Sequence, residues 1–284
     1  LVEHIQGPMV RCVSDVGLAM KVLSGPDDRD PSSIPCDGMD FHKAALGQRK
    51  LNGRRVAYVG NIGGVIPLDQ EVEKLVKEGA YAFEQLGCDV TEACFDASDI
   101  QDIIMGTRGF GMVARYADRY DKHKDLMTSQ LINQVSAALD LSVRDVVRSE
   151  RLRTQYWHKV RRFMENFDYI VAPVVGAPPF RLDEPLPKQV GGVAVDRFQD
   201  VFLSTYVFSV TGLPMISVPC GLTKDGRPVG MQIIARRHRE DQAIEAASAY
   251  ERLAPNLFVR PKMDLTVLKP VSEALTTPGV TIKK

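Results

Sequence analysis

The segment from residue 54 to residue 94 restricts the fold more than any other. Arg54 to Val59 is a short run of strand-forming residues, and the glycine-bearing turn Gly60-Asn61-Ile62-Gly63-Gly64 follows it. A helix is predicted from Asp69 to Leu86, because Val72, Leu75, Val76, Gly79, Phe83 and Leu86 fall on one face. Gly87 closes that helix, and Cys88 to Cys94 has the character of a second strand. This is a β-α-β unit, so the chain is assigned to the α/β class with an at least partly parallel sheet.

The remaining pattern extends the assignment. Ser14 is a good N-cap for a short helix with Val16, Ala19, Met20 and Leu23 on its inner face and Gly25 where it stops. The middle third is helical in three stretches, Asp99 to Tyr120, Met127 to Leu139 and Ser142 to Phe163. Tyr169 to Ala172 is a short buried strand, and Pro173 to Pro187 is a proline-rich loop of the kind that often carries function. Asp196 to Phe208 is predicted as one helix. Met215 to Cys220 and Val229 to Ala235 are strands joined by the turn signal Asp225-Gly226. Glu240 to Leu253 is the last amphipathic helix, and little pattern follows Pro255.

Charge and composition exclude several function classes. Lys plus Arg and Asp plus Glu are both 36, which disfavours a dedicated nucleic-acid binder. With 44% hydrophobic residues the chain is not a disordered segment. No stretch of 18 apolar residues occurs, so no membrane-spanning helix is expected. The five cysteines are scattered and form no C-x-x-C pair, which reads as reduced thiols in a cytoplasmic protein.

The residues alone assemble no complete catalytic set. Gly109-Phe110-Gly111-Met112-Val113-Ala114 matches a dinucleotide fingerprint but lies inside a helical pattern, where the mechanism of that loop does not operate. Gly60 to Gly64 lacks the Lys-Ser/Thr pair of a P-loop and reads as a tight turn. The five histidines are isolated, so no metal is expected. No G-x-S-x-G elbow occurs, and Ser217 reads as a structural strand residue. The acidic turn Asp27 to Asp30 lacks a calcium-loop pattern. The basic residues of the third long helix, Arg144 to Arg162, read as a solvated face.

Two stretches carry a resemblance. One runs from Gly7-Pro8-Met9-Val10-Arg11-Cys12-Val13-Ser14-Asp15 to Leu23-Ser24-Gly25-Pro26-Asp27-Asp28-Arg29-Asp30-Pro31. The other is Thr211-Gly212-Leu213-Pro214-Met215-Ile216-Ser217-Val218-Pro219-Cys220-Gly221, followed by Gly226-Arg227-Pro228-Val229-Gly230-Met231-Gln232-Ile233-Ile234. Both resemble the amidase signature family, as does Phe167-Asp168-Tyr169-Ile170-Val171-Ala172-Pro173 between them, and Ala114-Arg115-Tyr116 has a counterpart there. The resemblance implies an α/β fold with a mixed sheet flanked by helices on both faces. It also implies hydrolysis of a carboxamide, or a related ester or carbamate, through a serine acyl-enzyme. In that mechanism a lysine, held neutral by burial, relays a proton through a bridging serine.

In the family, the lysine, both serines and the glycine-rich loop precede the Gly-Pro-x-x-Arg motif, which here begins at Gly7. No residue of this chain matches a triad member, so no catalytic residue is assigned. The resemblance therefore implies that residues 1–284 form the C-terminal part of a single amidase signature domain, with 99–165 a helical segment on the substrate side. The chain is expected to need its upstream segment, and to be inactive without it. The family is often homodimeric, so a homodimer is compatible with the resemblance. Neither a cofactor nor a nucleic-acid or membrane partner is implied; the partner is a small-molecule amide.

The helix before Thr211 contributes to the acyl pocket in the family. Gln199, Phe202, Tyr206 and Ser209 share one face of a continuous helix, and Phe202, Tyr206 and Ser209 are assigned to substrate binding, with Val174 and Phe110 beside them. Phe202 aligns with a carboxylate that binds the substrate amine in the family's glutamine amidotransferases. An aromatic ring cannot pair with an ammonium in that way, so an apolar or aromatic acyl group is expected. Arg11 and Asp15, one helical turn apart, are expected to hold loop geometry. The competing readings are a component of a transamidating enzyme, a non-catalytic partner that retains the fold, and nucleotide binding at Gly60 to Gly64.

Overall fold

The structure, a computed structural model, describes residues 6–47, 50–181 and 186–258. The β-α-β unit forms as the pattern predicts. β1 (Arg55–Tyr58) and β2 (Asp89–Glu92) pair in parallel. Between them runs α3 (Gln70–Tyr81), preceded in the chain by α1 (Val13–Leu23) and α2 (Phe41–Ala45). The Asp69 carboxylate caps α3 by accepting from the Glu71 and Val72 N–H groups. The last turn of this unit tightens into a 3-10 helix, Ala82–Leu86, and Gly87 ends it at φ 80°, in the left-handed region that glycine enters without strain.

β1 continues the sheet through β3 (Tyr169–Pro173), again parallel. The chain then forms a small hairpin, β4 (Gln189–Val190) with β5 (Val193–Ala194), turning on Gly191 and Gly192. β6 (Met215–Leu222) and β7 (Pro228–Ala235) are antiparallel, and β7 lies antiparallel to β3. The sheet order is β2-β1-β3-β7-β6, a mixed sheet, and β6 pairs with β7 alone among the described strands.

Helices cover both faces, which is why the strands read as near-continuous apolar runs. Val56 and Tyr58, Tyr169 and Val171, and Met231, Ile233 and Ala235 face α1, α2, α3 and α9 (Glu240–Leu253). The alternate residues Ala57, Val59, Ile170, Ala172 and Ile234 face α4 (Ile100–His123), α6 (Val143–Phe163) and α8 (Leu203–Ser209). α5 (Ser129–Leu139) packs on the outer end of α4 through Val135, Ala138 and Met112.

Two glycines in and beside the apparent fingerprint, Gly109 and Gly106, are close-packing positions on α4. A Cβ on Gly106 would overlap the Ser149 side chain of α6, and one on Gly109 would overlap Leu141. The basic row of α6 is partly taken up by pairing: Arg148 reaches Asp102 at 2.8 Å, and Lys159 reaches Asp96 at 2.6 Å and Asp99 at 2.9 Å.

Two local expectations are corrected. α1 starts before Ser14: its cap position is Cys12, and the Val13 N–H donates to the Glu251 carboxylate from α9. A carboxylate brought by tertiary packing thus does what a capping hydroxyl was expected to do. The helix predicted over Asp196 to Phe208 is also divided. α7 (Phe198–Val201) stops at Phe202, whose backbone (φ −107°, ψ 18°) leaves the helical region before α8 begins. The tail beyond residue 258 lies outside the described residues.

Candidate functional site

Two hydrogen-bonding centres fix the geometry around Phe202. The first is Asp200. Its carboxylate accepts from the Arg197 backbone N–H at 3.1 Å, from Arg197 Nη2 at 2.9 Å and from Gln101 Nε2 at 3.1 Å. Burial acts to raise the Asp200 pKa, but Arg197 and Gln101 more than offset it, so the group stays ionised below the ordinary carboxylate range. This anchors α7 to α4. The second centre is the Val174 carbonyl, which accepts from both Ser204 Oγ and Thr205 Oγ1 at 2.7 Å. Gln232, buried in β7, reinforces it by donating from Nε2 to the Pro173 carbonyl at 2.8 Å and the Ser204 carbonyl at 3.1 Å. The start of α8 is thereby clamped to the end of β3.

Because the two turns are anchored to different elements, the residues predicted for one helix face are directed to two places. Phe202 and Val174 line a cavity of about 300 Å³ with Val175, Ala177, Phe180, Val201 and Val229. Ser217, on β6, contributes the only hydroxyl of that lining, and it also borders a second cavity, about 370 Å³, between Arg11, Cys12, Val16 and β6. Ser217 is exposed on β6, the edge strand among the described strands, and is not merely a core strand residue.

Gln199 instead lines a cavity of about 410 Å³ between α4 and α5, together with Arg197 and Arg108. Tyr206 lines none of the three cavities described, and the Arg108 guanidinium stands 5.7 Å from its ring centre. Ser209 Oγ donates to the Thr205 carbonyl at 2.9 Å within its own helix and lines none of these three cavities. Phe110 is 55% exposed and also lines none of them. Arg11 and Asp15 are exposed, Arg11 at the edge of the cavity beside β6.

All five cysteines are free. Burial pushes the Cys88 thiol up to about 11 and the Cys220 thiol to about 12, so both are neutral and inert at ordinary pH. No group of three His, Cys, Asp or Glu among the described residues could hold a metal ion. No helix among them is long and apolar enough to cross a membrane.

Sequence reading passed over Gln232 and Arg108. A signal for Gln232 was present: it is a lone amide inside the run Val229-Gly230-Met231-Gln232-Ile233-Ile234, and such a group must find buried partners. Arg108 had no comparable signal, because an arginine in a long helix is ordinarily a surface residue.

Comparison with known proteins places this geometry. The family model described as Amidase matches residues 2–244. The chain is 31% identical to an acylamidase of Rhodococcus erythropolis over 267 residues, which covers 92% of this chain and 54% of that protein. It is 27% identical to a glutamyl-tRNA(Gln) amidotransferase component of Thermodesulfovibrio yellowstonii, covering 88% of this chain and 54% of that one. Among solved structures it superposes on a bacterial aryl acylamidase of the amidase signature family with a TM-score of 0.78. The identity there is 30%, covering 90% of this chain and 55% of that one. The chain thus spans about half the length of the relatives it matches.

Proposed function

The chain belongs to the amidase signature family, and on that basis we propose that the whole protein hydrolyses the C–N bond of a small carboxamide with an apolar or aromatic acyl group. The observation that carries the substrate class is the cavity at Val174 and Phe202. Its wall is aliphatic, aromatic and prolyl apart from the Ser217 hydroxyl, and its volume of about 300 Å³ suits a small acyl group. The acylamidase and aryl acylamidase relatives support the same reading.

In this proposal residues 1–284 supply a binding wall, and the family's lysine and serines, none of which has a match here, supply an acyl-enzyme mechanism. The chain by itself binds without turning over. The protein acts in the cytoplasm, where its free thiols stay reduced. The amidotransferase reading draws on the glutamyl-tRNA(Gln) amidotransferase relatives. It requires a carboxylate to hold the amine of a free amino acid, and the Phe202 cavity is lined by none.

The test is hydrolysis by the whole protein of acetanilide, benzamide and glutamine, followed by amine or ammonia release. Turnover of the aryl amides, with kcat/KM lowered when Phe202→Asp places a charge in the cavity, supports the proposal. Preferential hydrolysis of glutamine would replace it with the amidotransferase reading.

A further inference from the structure

The cavity between α4 and α5 contains a cation without a counter-ion among the described residues. Arg108 projects from α4 and lines the cavity with Met105, Met112, Ala138 and Leu141. Its Nη2 donates to Gln134 Oε1 at 2.7 Å, and its guanidinium lies over the Tyr206 ring. The amide acceptor and the ring face are both uncharged. Its Nε is sealed from solvent with no acceptor among the described residues, and no carboxylate among them pairs with it. The other arginine of the lining, Arg197, is by contrast neutralised by Asp200 at 2.9 Å.

A guanidinium that is half-buried, fixed in place by an amide and a ring, and left without an anion is preorganised for one. The lining has two sides: Met105, Met112, Ala138 and Leu141 are apolar, while Ser129, Asn133, Gln134, Asp196 and Gln199 are polar. With the Asp196 carboxylate also on the wall, one unpaired arginine does not offset the charge of a phosphate. The arrangement suits a planar monocarboxylate attached to an aryl or alkyl body, with the body on the apolar side and the carboxylate on the guanidinium. We propose that the α4–α5 cavity binds a small apolar monocarboxylate through Arg108. The inference does not rest on the amidase reading, because binding is measured without turnover.

The experiment is calorimetric titration of the whole protein with benzoate and with nitrobenzene, a neutral molecule of the same shape. Benzoate is expected to bind at least about tenfold more tightly, the increment of one charge-assisted pair. Arg108→Gln should abolish the preference and Arg108→Lys should retain part of it, with thermal melts reporting that each variant folds. Asn133→Trp is the second arm: the residue is exposed on α5 and lines the cavity, so the indole should occlude it and weaken both ligands without entering the core. Equal affinity for the two ligands, no benzoate binding at millimolar concentration, a preference that survives Arg108→Gln, or a benzoate affinity unchanged by Asn133→Trp would each overturn the proposal.

Discussion

Replacing Gly106 by alanine sets helix propensity against packing, and the geometry decides which prevails. Gly106 lies where α4 crosses α6. An added Cβ would overlap both side-chain heavy atoms of Ser149 and stand 3.3 Å from the Asp145 carbonyl oxygen. Carbon atoms settle about 3.5–4.0 Å apart, so the two helices must separate by roughly an ångström. The Ser149 Cβ is fixed to its helix and cannot rotate away, which places the cost toward the top of the ~1–3 kcal/mol range for overpacked cores. Alanine recovers ~1 kcal/mol of helix propensity over glycine. The net expectation is a loss of about 2 kcal/mol, or a Tm lower by about 4–8 °C. Ser149→Gly removes the obstructing atoms at a propensity cost of about 0.5 kcal/mol. The double variant should therefore be more stable than additivity predicts by at least ~1 kcal/mol. Thermal and urea unfolding of the four proteins measures this. Wild-type stability in Gly106→Ala, or strict additivity in the double variant, would refute the packing argument.

Three other perturbations have definite signs. Gln232→Leu leaves the Pro173 and Ser204 carbonyls without their donor in a buried site, and should cost about 2–4 kcal/mol in denaturant unfolding; a loss no larger than that of a surface substitution would contradict the clamp. Tyr156→Phe removes the buried hydrogen bond from its hydroxyl to the Val207 carbonyl at 3.0 Å and should cost about 1–2 kcal/mol, measured the same way. The thiols give a pH dependence. Burial raises the folded pKa values of Cys88 and Cys220 from 9.0 to about 11 and about 12. The unfolded chain therefore releases these protons first, and stability falls as pH rises above about 9. Unfolding midpoints at pH 8, 9 and 10 should decline in that order, and a flat or rising series would exclude the assignment. The same burial predicts that exposed Cys94 is alkylated at pH 8 in the folded protein while Cys88 and Cys220 are protected.

Elements that obey a period are legible in the residues alone. Strands at 55–58, 89–92, 169–173 and 228–235, and the helix Glu240–Leu253, follow from runs and spacings fixed by local stereochemistry. The mixed sheet covered on both faces followed from the β-α-β unit together with the family motifs. The capping of α1 could not be read in this way, because Glu251 is 238 residues away from Val13 and no local pattern connects them. The same holds for the residues around Phe202. Periodicity put Gln199, Phe202 and Tyr206 on one helix face, but Asp200 is held by Gln101 of α4 while Ser204 and Thr205 are held by the carbonyl of Val174. Those anchors lie on separate elements, so the helix parts at Phe202, and Phe202 and Gln199 line different cavities. A helical period describes the backbone's preference; which hydrogen bonds win at each turn depends on partners that only folding brings near.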